Sequence, residues 1–227
     1  MELREKCEKY LKALNMNVEE KLRIEKLTRR QNQSPMWLEE RRKRLTASNF
    51  GRICKAKSSK AKFNIINDIT QDKKLNLPAI RYGRNHEDVA IIKYLEKYPC
   101  KYKKAGLFVH KVHSFLGGSP DGLIENDGII EIKCSYKAKD KNFDQVTLDF
   151  LDSSNKLKIT HNYYYQIQGL LEITNRPWCD FVVYMNQDIM IQRIERKPKF
   201  WANMLNKLRL LFLLLPAGTS DAKCLYR

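Results

Sequence analysis

Two acidic residues and a lysine lie close together near the middle of the chain, around a predicted turn. Asp121 belongs to the sequence SPDGL, and Glu131 and Lys133 follow within the sequence EIK. Carboxylate oxygens are ligands that Mg²⁺ prefers, and an ammonium beside a metal can orient an attacking water, help to deprotonate it or stabilise charge in the transition state. These residue types therefore indicate metal-dependent hydrolysis of a phosphodiester.

The spacing of these residues predicts that they converge. Glu131 and Lys133 are two positions apart on a predicted strand, so they project from one face, while Ile130 and Ile132 point to the other face, into the core. Asp121 precedes the partner strand, and the Asp127-Gly128 pair predicts a hairpin that brings it back towards Glu131. Opposite charges on one strand face are common, so an ordinary hairpin with a surface ion pair is the alternative.

The rest of the chain must supply the elements that position this hairpin. Helical patterns cover residues 1–30, 35–44, 46–54, 83–98, 160–174 and 198–215, and strand patterns cover 106–109, 114–116, 123–124, 129–134, 179–185 and 188–194. The stretch 55–62 is interpreted as an exposed loop or helix entry. This order predicts an α/β (α+β) domain with a mixed sheet over residues 31–227, preceded by an N-terminal helical extension over residues 1–30.

The charge balance favours a polyanionic partner. The 227 residues carry 43 Lys and Arg against 26 Asp and Glu, a formal net charge of +17. Nucleic acid is the commonest such partner, although a merely basic protein or one that touches acidic lipid is also consistent with the charge.

Cysteine usage and apolar runs indicate an intracellular protein. The cysteines at positions 7, 54, 100, 134, 179 and 224 form no C-x-x-C pair, which argues against a zinc knuckle and favours reduced thiols. The longest apolar run, residues 210–215, is too short for a membrane helix, and the N-terminus does not resemble a signal peptide. We expect a location in the nucleus or cytoplasm and no membrane partner.

Five short motifs in this order resemble the PD-(D/E)-x-K nuclease superfamily and, more narrowly, the phage lambda exonuclease and YqaJ-type viral recombinase group. They are Trp37-x-x-x-Arg41 with Thr46-Ala47-Ser48, Gly83-x-x-x-Glu87, Ser119-Pro120-Asp121-Gly122-Leu123, Glu131-Ile132-Lys133-Cys134, and Gln166-Ile167-Gln168. The resemblance implies a restriction-endonuclease-like core, in which a central mixed β-sheet is flanked by helices.

The same resemblance implies roles for individual residues. Asp121, Glu131 and the backbone carbonyl of Ile132 would bind Mg²⁺, with Mn²⁺ as a substitute, and Lys133 would be the catalytic lysine. Glu87 would be a further acidic residue of the site that acts on a metal through water. Without the resemblance, Glu87 is better interpreted as a solvated helix residue.

A pocket for the 5′-phosphate of DNA is also implied by the resemblance. The matching residues are Arg41, Ser48, Ser119 and Gln166, and arginine and hydroxyl groups are suitable donors to phosphate oxygens. The alternative is that Ser48 only caps a helix and that Arg41 belongs to a solvated basic face.

The resulting hypothesis is a Mg²⁺-dependent 5′→3′ exonuclease on linear double-stranded DNA, which makes single-stranded tails for recombination or repair. An endonuclease with the same site is one alternative, and a non-catalytic DNA-binding module is another. Clustered acids would repel phosphate, so they argue against the binding module. The resemblance implies double-stranded DNA ends and a single-strand annealing protein as partners, and leaves a toroidal trimer and a monomer open.

Overall fold

The computed structural model describes residues 2–70, 77–143, 145–185 and 188–213 and confirms the α/β class. The helices are α1 (Glu2–Ala13), α2 (Val18–Leu27), α3 (Pro35–Arg42), α4 (Ala47–Lys55), α5 (Ser59–Thr70), α6 (Pro78–Lys97), α7 (Asn162–Thr174) and α8 (Pro198–Phe212). The strands are β1 (Leu45–Thr46), β2 (Tyr102–Lys103), β3 (Phe108–Val109), β4 (Leu116–Gly118), β5 (Gly122–Ile124), β6 (Gly128–Cys134), β7 (Trp178–Met185) and β8 (Asp188–Glu195).

The main sheet is mixed, as predicted. Its five strands lie in the order β2-β5-β6-β7-β8, and a smaller sheet has the order β1-β4-β3. Only the β6–β7 pair of the main sheet is parallel. The connection between these two strands includes α7, as a parallel crossover requires. The predicted hairpin joins β5 to β6, and its left-handed residue is Glu125 with φ 46°, not a glycine.

Apolar side chains cover both faces of the main sheet. Ile129 and Phe181 belong to the large core that includes residues of α4, α7 and α8, whereas Ile130 and Ile132 pack with residues of α6. Alternate residues of β6 therefore enter different cores, which is the period-2 pattern of a strand covered on both sides. Glu131 lies between Ile130 and Ile132 in the sequence and is therefore on the same face of β6 as Ile129.

Helix α3 begins where the sequence predicts but ends earlier. Ser34 caps it by accepting a hydrogen bond from the amide of Trp37 at 3.3 Å, and Pro35 occupies its first turn. The helix ends at Arg42, two residues before the predicted end near Arg44, whose buried guanidinium binds Glu40 and the carbonyl of Ser114. The chain then enters β1, a strand that the sequence did not predict.

Other boundaries differ as well. Helix α6 begins five residues before Gly83, at Pro78, and α5 occupies part of the stretch interpreted as a loop or helix entry. Strand β2 was not predicted either. The turn at residues 186–187, the end of the apolar run at 214–215, and the side chains of Cys7 and Cys224 lie outside the described part of the chain.

The two N-terminal helices contact the domain. Leu14, just after α1, is part of the large core, and Ile24 of α2 packs with Leu107 and Val109. The hydroxyl of Thr28 accepts a hydrogen bond from the amide of Leu107 at 2.7 Å. These contacts attach residues 1–30 to the segment around β3.

No helix within the described residues is both long enough and apolar enough to cross a membrane.

A buried histidine makes stability depend on pH. Nδ1 of His110 accepts hydrogen bonds from the amides of Val112 and His113 at 3.1 and 3.0 Å, and burial lowers the pKa of His110 to about 4 from the ordinary 6.5. As the pH falls, the unfolded chain binds the proton first, so stability present above pH 6.5 is lost towards pH 4. We expect His110 to contribute a loss of about 2–3 kcal/mol in unfolding free energy, measured by urea denaturation as the difference between the unaltered chain and a variant without the imidazole.

The matched variant is His110→Asn, whose amide oxygen can accept from the same amides without titrating. Its profile should lack the loss that His110 contributes between pH 6.5 and pH 4, so the two profiles should diverge as the pH falls. Profiles that stay parallel over this range would contradict the assignment.

Candidate active site

The candidate active site lies where β6 extends beyond β5. Strand β5 pairs only with the first residues of β6, from Gly128 to Ile130. Asp121 also bonds to β6, through one backbone atom and one side-chain atom. Its amide donates to the carbonyl of Ile130 at 3.1 Å, and its Oδ2 accepts from the amide of Ile132 at 2.6 Å. The carboxylate of Asp121 is therefore fixed to the backbone beside Glu131.

The same geometry fixes the direction of the Ile132 carbonyl. The N–H and C=O of one strand residue point to the same side of the strand. Because the N–H of Ile132 is directed to Asp121, its carbonyl oxygen also faces the Asp121 side, where β5 has ended. A backbone oxygen and a carboxylate thus face the same open edge.

Glu131 is buried, with 1% of its surface exposed, and only one of its carboxylate oxygens has partners. Its Oε1 accepts from Lys133 Nζ at 2.5 Å and from Gln166 Nε2 at 2.6 Å. Its Oε2 is buried without a hydrogen-bond partner among the described residues. A buried carboxylate oxygen is costly to leave unpaired, so this atom is available to a ligand.

Three acids at this edge resist ionisation together. Burial, followed by the charge of Asp121, raises the pKa of Glu131 to about 8 and that of Glu87 to about 7. Burial also raises the pKa of Asp121, against the opposing effects of Lys133 and the Ile132 amide. A cation bound here would reverse this penalty, because opposite charge favours the ionised form of each acid.

Lys133 is held in its charged form. Burial alone would lower its pKa, but the carboxylates of Glu131 and Asp121 outweigh burial and raise the pKa above its ordinary value. Its ammonium also lies 4.9 Å from the ring centre of Tyr163 on α7. The lysine is therefore positioned as a donor and a positive charge.

The donor set fits Mg²⁺. The described residues contain no group of three His, Cys, Asp or Glu side chains that could hold a metal by themselves. Magnesium commonly takes one or two carboxylates and keeps several waters, so Asp121, Glu131 and the Ile132 carbonyl are a sufficient set. Glu87 lies on α6, close enough for the charges of Asp121 and Lys133 to affect its pKa.

Three of the four residues expected to bind phosphate are linked around Trp37. The indole Nε1 donates to Ser119 Oγ at 2.8 Å, and the guanidinium of Arg41 lies over the Trp37 ring at 4.2 Å. Arg41 also donates to Ser48 Oγ at 3.3 Å. Burial lowers the pKa of Arg41 to about 10, while Glu131 opposes that change, so this cluster adjoins the acidic edge.

Ser48 does not cap α4, and two glutamines of α7 make different contacts. The hydroxyl of Ser48 lies 3.3 Å from that of Thr46, and no side chain caps the start of α4. Gln166 donates to Glu131, whereas Gln168 binds the backbone of Glu195 and Lys197. Residues two apart on a helix lie on different faces, and here one glutamine faces the site while the other bonds to the backbone.

Some residues that shape the site were missed in the sequence. Gln31 donates to the carbonyl of Pro120 at 3.0 Å, and the Tyr102 hydroxyl donates to the carbonyl of Asp121 at 3.1 Å. Gly122 permits the second contact, since a Cβ there would lie 2.2 Å from the Tyr102 ring. No local sequence pattern signals these contacts, because the partners are distant in the chain or on different elements.

Solved structures share this fold. An alkaline exonuclease from Laribacter hongkongensis is 24% identical with a TM-score of 0.65, over 83% of this chain and 94% of that one. A phage-related exonuclease from Haemophilus somnus is 15% identical with a TM-score of 0.56, over 78% and 96%. SOX, solved as a complex with DNA, is 12% identical with a TM-score of 0.61, over 93% and 76%. The fold is therefore one that exonucleases use.

Residues 36–177, more than half of the chain, match the YqaJ-like viral recombinase domain. The chain belongs to this family, as its five motifs predicted. No curated protein sequence gives a significant match.

The bond between Trp37 and Ser119 should be measurable as a coupling energy. Trp37→Phe and Ser119→Ala each remove one partner, and each should lower the unfolding free energy by about 1 kcal/mol. The double variant should be less destabilised than the sum, by about 0.5–1.5 kcal/mol in urea denaturation. Strict additivity would mean that the two groups do not interact in solution.

Proposed function

We propose that the chain is a Mg²⁺-dependent exonuclease that degrades linear double-stranded DNA in the 5′→3′ direction. The observation that carries this proposal is the buried edge where Asp121, Glu131 and Lys133 meet, with Glu131 Oε2 lacking a partner. Membership in the YqaJ-like viral recombinase family and the exonuclease fold support the same activity. The formal charge of +17 supports a polyanionic substrate.

Asp121, Glu131 and the carbonyl of Ile132 would hold the metal, and Glu87 would act on it through water. When bound, Mg²⁺ would polarise the phosphoryl oxygen and lower the pKa of a coordinated water. Lys133, whose pKa is raised, would donate to the attacking water or to a phosphate oxygen in the transition state. Gln166 holds Glu131 in place from α7.

The preference for a 5′ end is proposed from the cluster around Trp37. Arg41, Ser48 and Ser119 would donate to the terminal phosphate, which would set the reacting bond a fixed distance from that end. Gln166 would complete the pocket from the side of Glu131. The tails left on the other strand would be the substrate of a single-strand annealing protein.

We further propose that residues 31–227 form the nuclease domain and that residues 1–30 are an extension of it. The family match begins at residue 36, after this extension. The extension contacts the domain through Leu14, Ile24 and Thr28.

The deciding experiment uses linear duplex DNA with 5′-phosphate or 5′-hydroxyl ends, beside covalently closed circles, in Mg²⁺. We expect progressive loss of linear DNA, faster with the phosphate, and no loss of circles. Arg41→Gln should reduce the advantage of the phosphate by roughly tenfold or more in kcat/KM. Cutting of circles would favour an endonuclease, and binding without cleavage in any divalent metal would leave a DNA-binding module.

Removal of the lysine should separate catalysis from metal binding. Lys133→Ala should reduce the cleavage rate by at least about 10²-fold, because the charge that stabilises the transition state is lost. Mg²⁺ binding, measured by calorimetry, should persist. Lys103→Ala, an exposed lysine on β2, is the control and should retain activity. Undiminished cleavage by Lys133→Ala would refute the assigned role.

Metal binding should stabilise the fold through Asp121. Mg²⁺ at a hundredfold excess over Kd adds about 2.7 kcal/mol, which raises Tm by roughly 5–10 °C. Asp121→Asn should abolish this shift in calorimetric unfolding. Asp88→Asn, which alters an exposed acid paired with Lys104, should retain it. Equal shifts in both variants would place the metal elsewhere.

A further inference from the structure

A group of aromatic rings lies beside the acidic edge and has no part in the proposed chemistry. We call Tyr82, His86, Tyr136 and Tyr184 the aromatic ledge. The rings of Tyr82 and His86 stack with centroids 3.9 Å apart, His86 and Tyr184 are 5.9 Å apart, and Tyr82 meets Tyr136 edge to face at 5.7 Å. The rings form one continuous group.

The residues of the ledge are close to residues of the acidic edge, either in sequence or in sheet register. Tyr136 follows Lys133 by three residues, just beyond the end of β6, and His86 directly precedes Glu87 on α6. Tyr184 pairs in register with Cys134. A DNA strand bound at the acidic edge would therefore lie next to the ledge.

The outer ring of the ledge is exposed. Tyr136 has 40% of its surface accessible, and its hydroxyl makes no hydrogen bond to a described residue. Tyr82 and His86 are half-buried behind it, and the His86 ring is fixed by a 2.8 Å contact between Nδ1 and the carbonyl of Tyr82. The inner rings thus support an outer ring that solvent can reach.

A cation lies over that ring, and others are close to it in sequence. Lys139 Nζ lies 5.3 Å from the ring centre of Tyr136, and it also lies 3.8 Å from Asp140. Other exposed cations close to the ledge in sequence are Arg81, Arg84, Lys137 and Lys141. An exposed ring with a cation beside it can bind a nucleotide, because the base stacks on the ring and the phosphate is attracted to the cation.

We propose that the aromatic ledge binds single-stranded DNA next to the active site. A single strand is favoured over a duplex because duplex bases are stacked on one another and do not offer their faces to a side chain. The inference rests on the proposed function, in which degradation of one strand of a duplex frees the other. The ledge would stack a base of that freed strand on Tyr136.

The test measures DNA binding apart from cleavage. Fluorescence anisotropy in EDTA would compare a labelled single-stranded oligothymidylate with a duplex of the same length. We expect Tyr136→Ala to weaken single-strand binding roughly tenfold and duplex binding less than about twofold. Tyr136→Phe should bind as the unaltered chain does, because it keeps the ring.

The matched control is Tyr98→Ala, an exposed tyrosine just after the other end of α6, which should leave both affinities unchanged. Equal Tm values would show that each variant is folded. Unchanged single-strand binding in Tyr136→Ala, or equal losses for single strand and duplex, would overturn the ledge as a stacking site.

Cleavage of linear duplex by the unaltered chain in Mg²⁺ is measured separately. If that activity is present and the binding result is negative, the ledge is not a stacking site, and the proposed nuclease function is unaffected. If cleavage is absent but Tyr136→Ala loses single-strand affinity, the function fails and the stacking site stands.

Discussion

The carboxyl half of β6 has a neighbouring strand on one side only, and the site depends on this asymmetry. Pairing with β7 runs along the whole of β6, whereas β5 ends after pairing with Ile130. Backbone groups beyond that point need other partners, and the side chain of Asp121 supplies one by accepting the amide of Ile132. One carboxylate thus satisfies the strand and also faces the open edge beside Glu131.

This arrangement buries charged side chains, which is energetically unfavourable. Lys133 is the cation in direct contact with Glu131, and the pKa values of Glu131 and Glu87, about 8 and about 7, show that it does not fully neutralise the acids. Under the proposed function, the basic surface of the molecule would attract DNA, while this small acidic edge would repel it unless a cation is present. Substrate and metal are therefore expected to depend on one another at this site.

The sequence predicted the parts of the site that follow from local periodicity. Glu131 and Lys133 share a face because a strand alternates its side chains, and Asp121 returns to them because a hairpin joins β5 to β6. The start of α3 was equally local, because Ser34 caps it and Pro35 follows.

Contacts between distant segments were not predictable in this way. The bond from Trp37 to Ser119 joins residues that are far apart in the chain, and its geometry is set by packing of α3 beside the small sheet. Strands β1 and β2 have only two residues each, too few to show a period. Their existence depends on partners that the sequence pattern does not reveal.

The N-terminal residues illustrate how such contacts can matter to the site. Thr28 binds the amide of Leu107, and Gln31, held at φ 43°, donates to the carbonyls of both Ala105 and Pro120. The carbonyl of Pro120 immediately precedes Asp121, so Gln31, the first residue after the extension, contacts the segment that places the carboxylate. Helix α2 and its following turn thus support Asp121 from outside the sheet, because a strand as short as β5 offers few hydrogen bonds of its own.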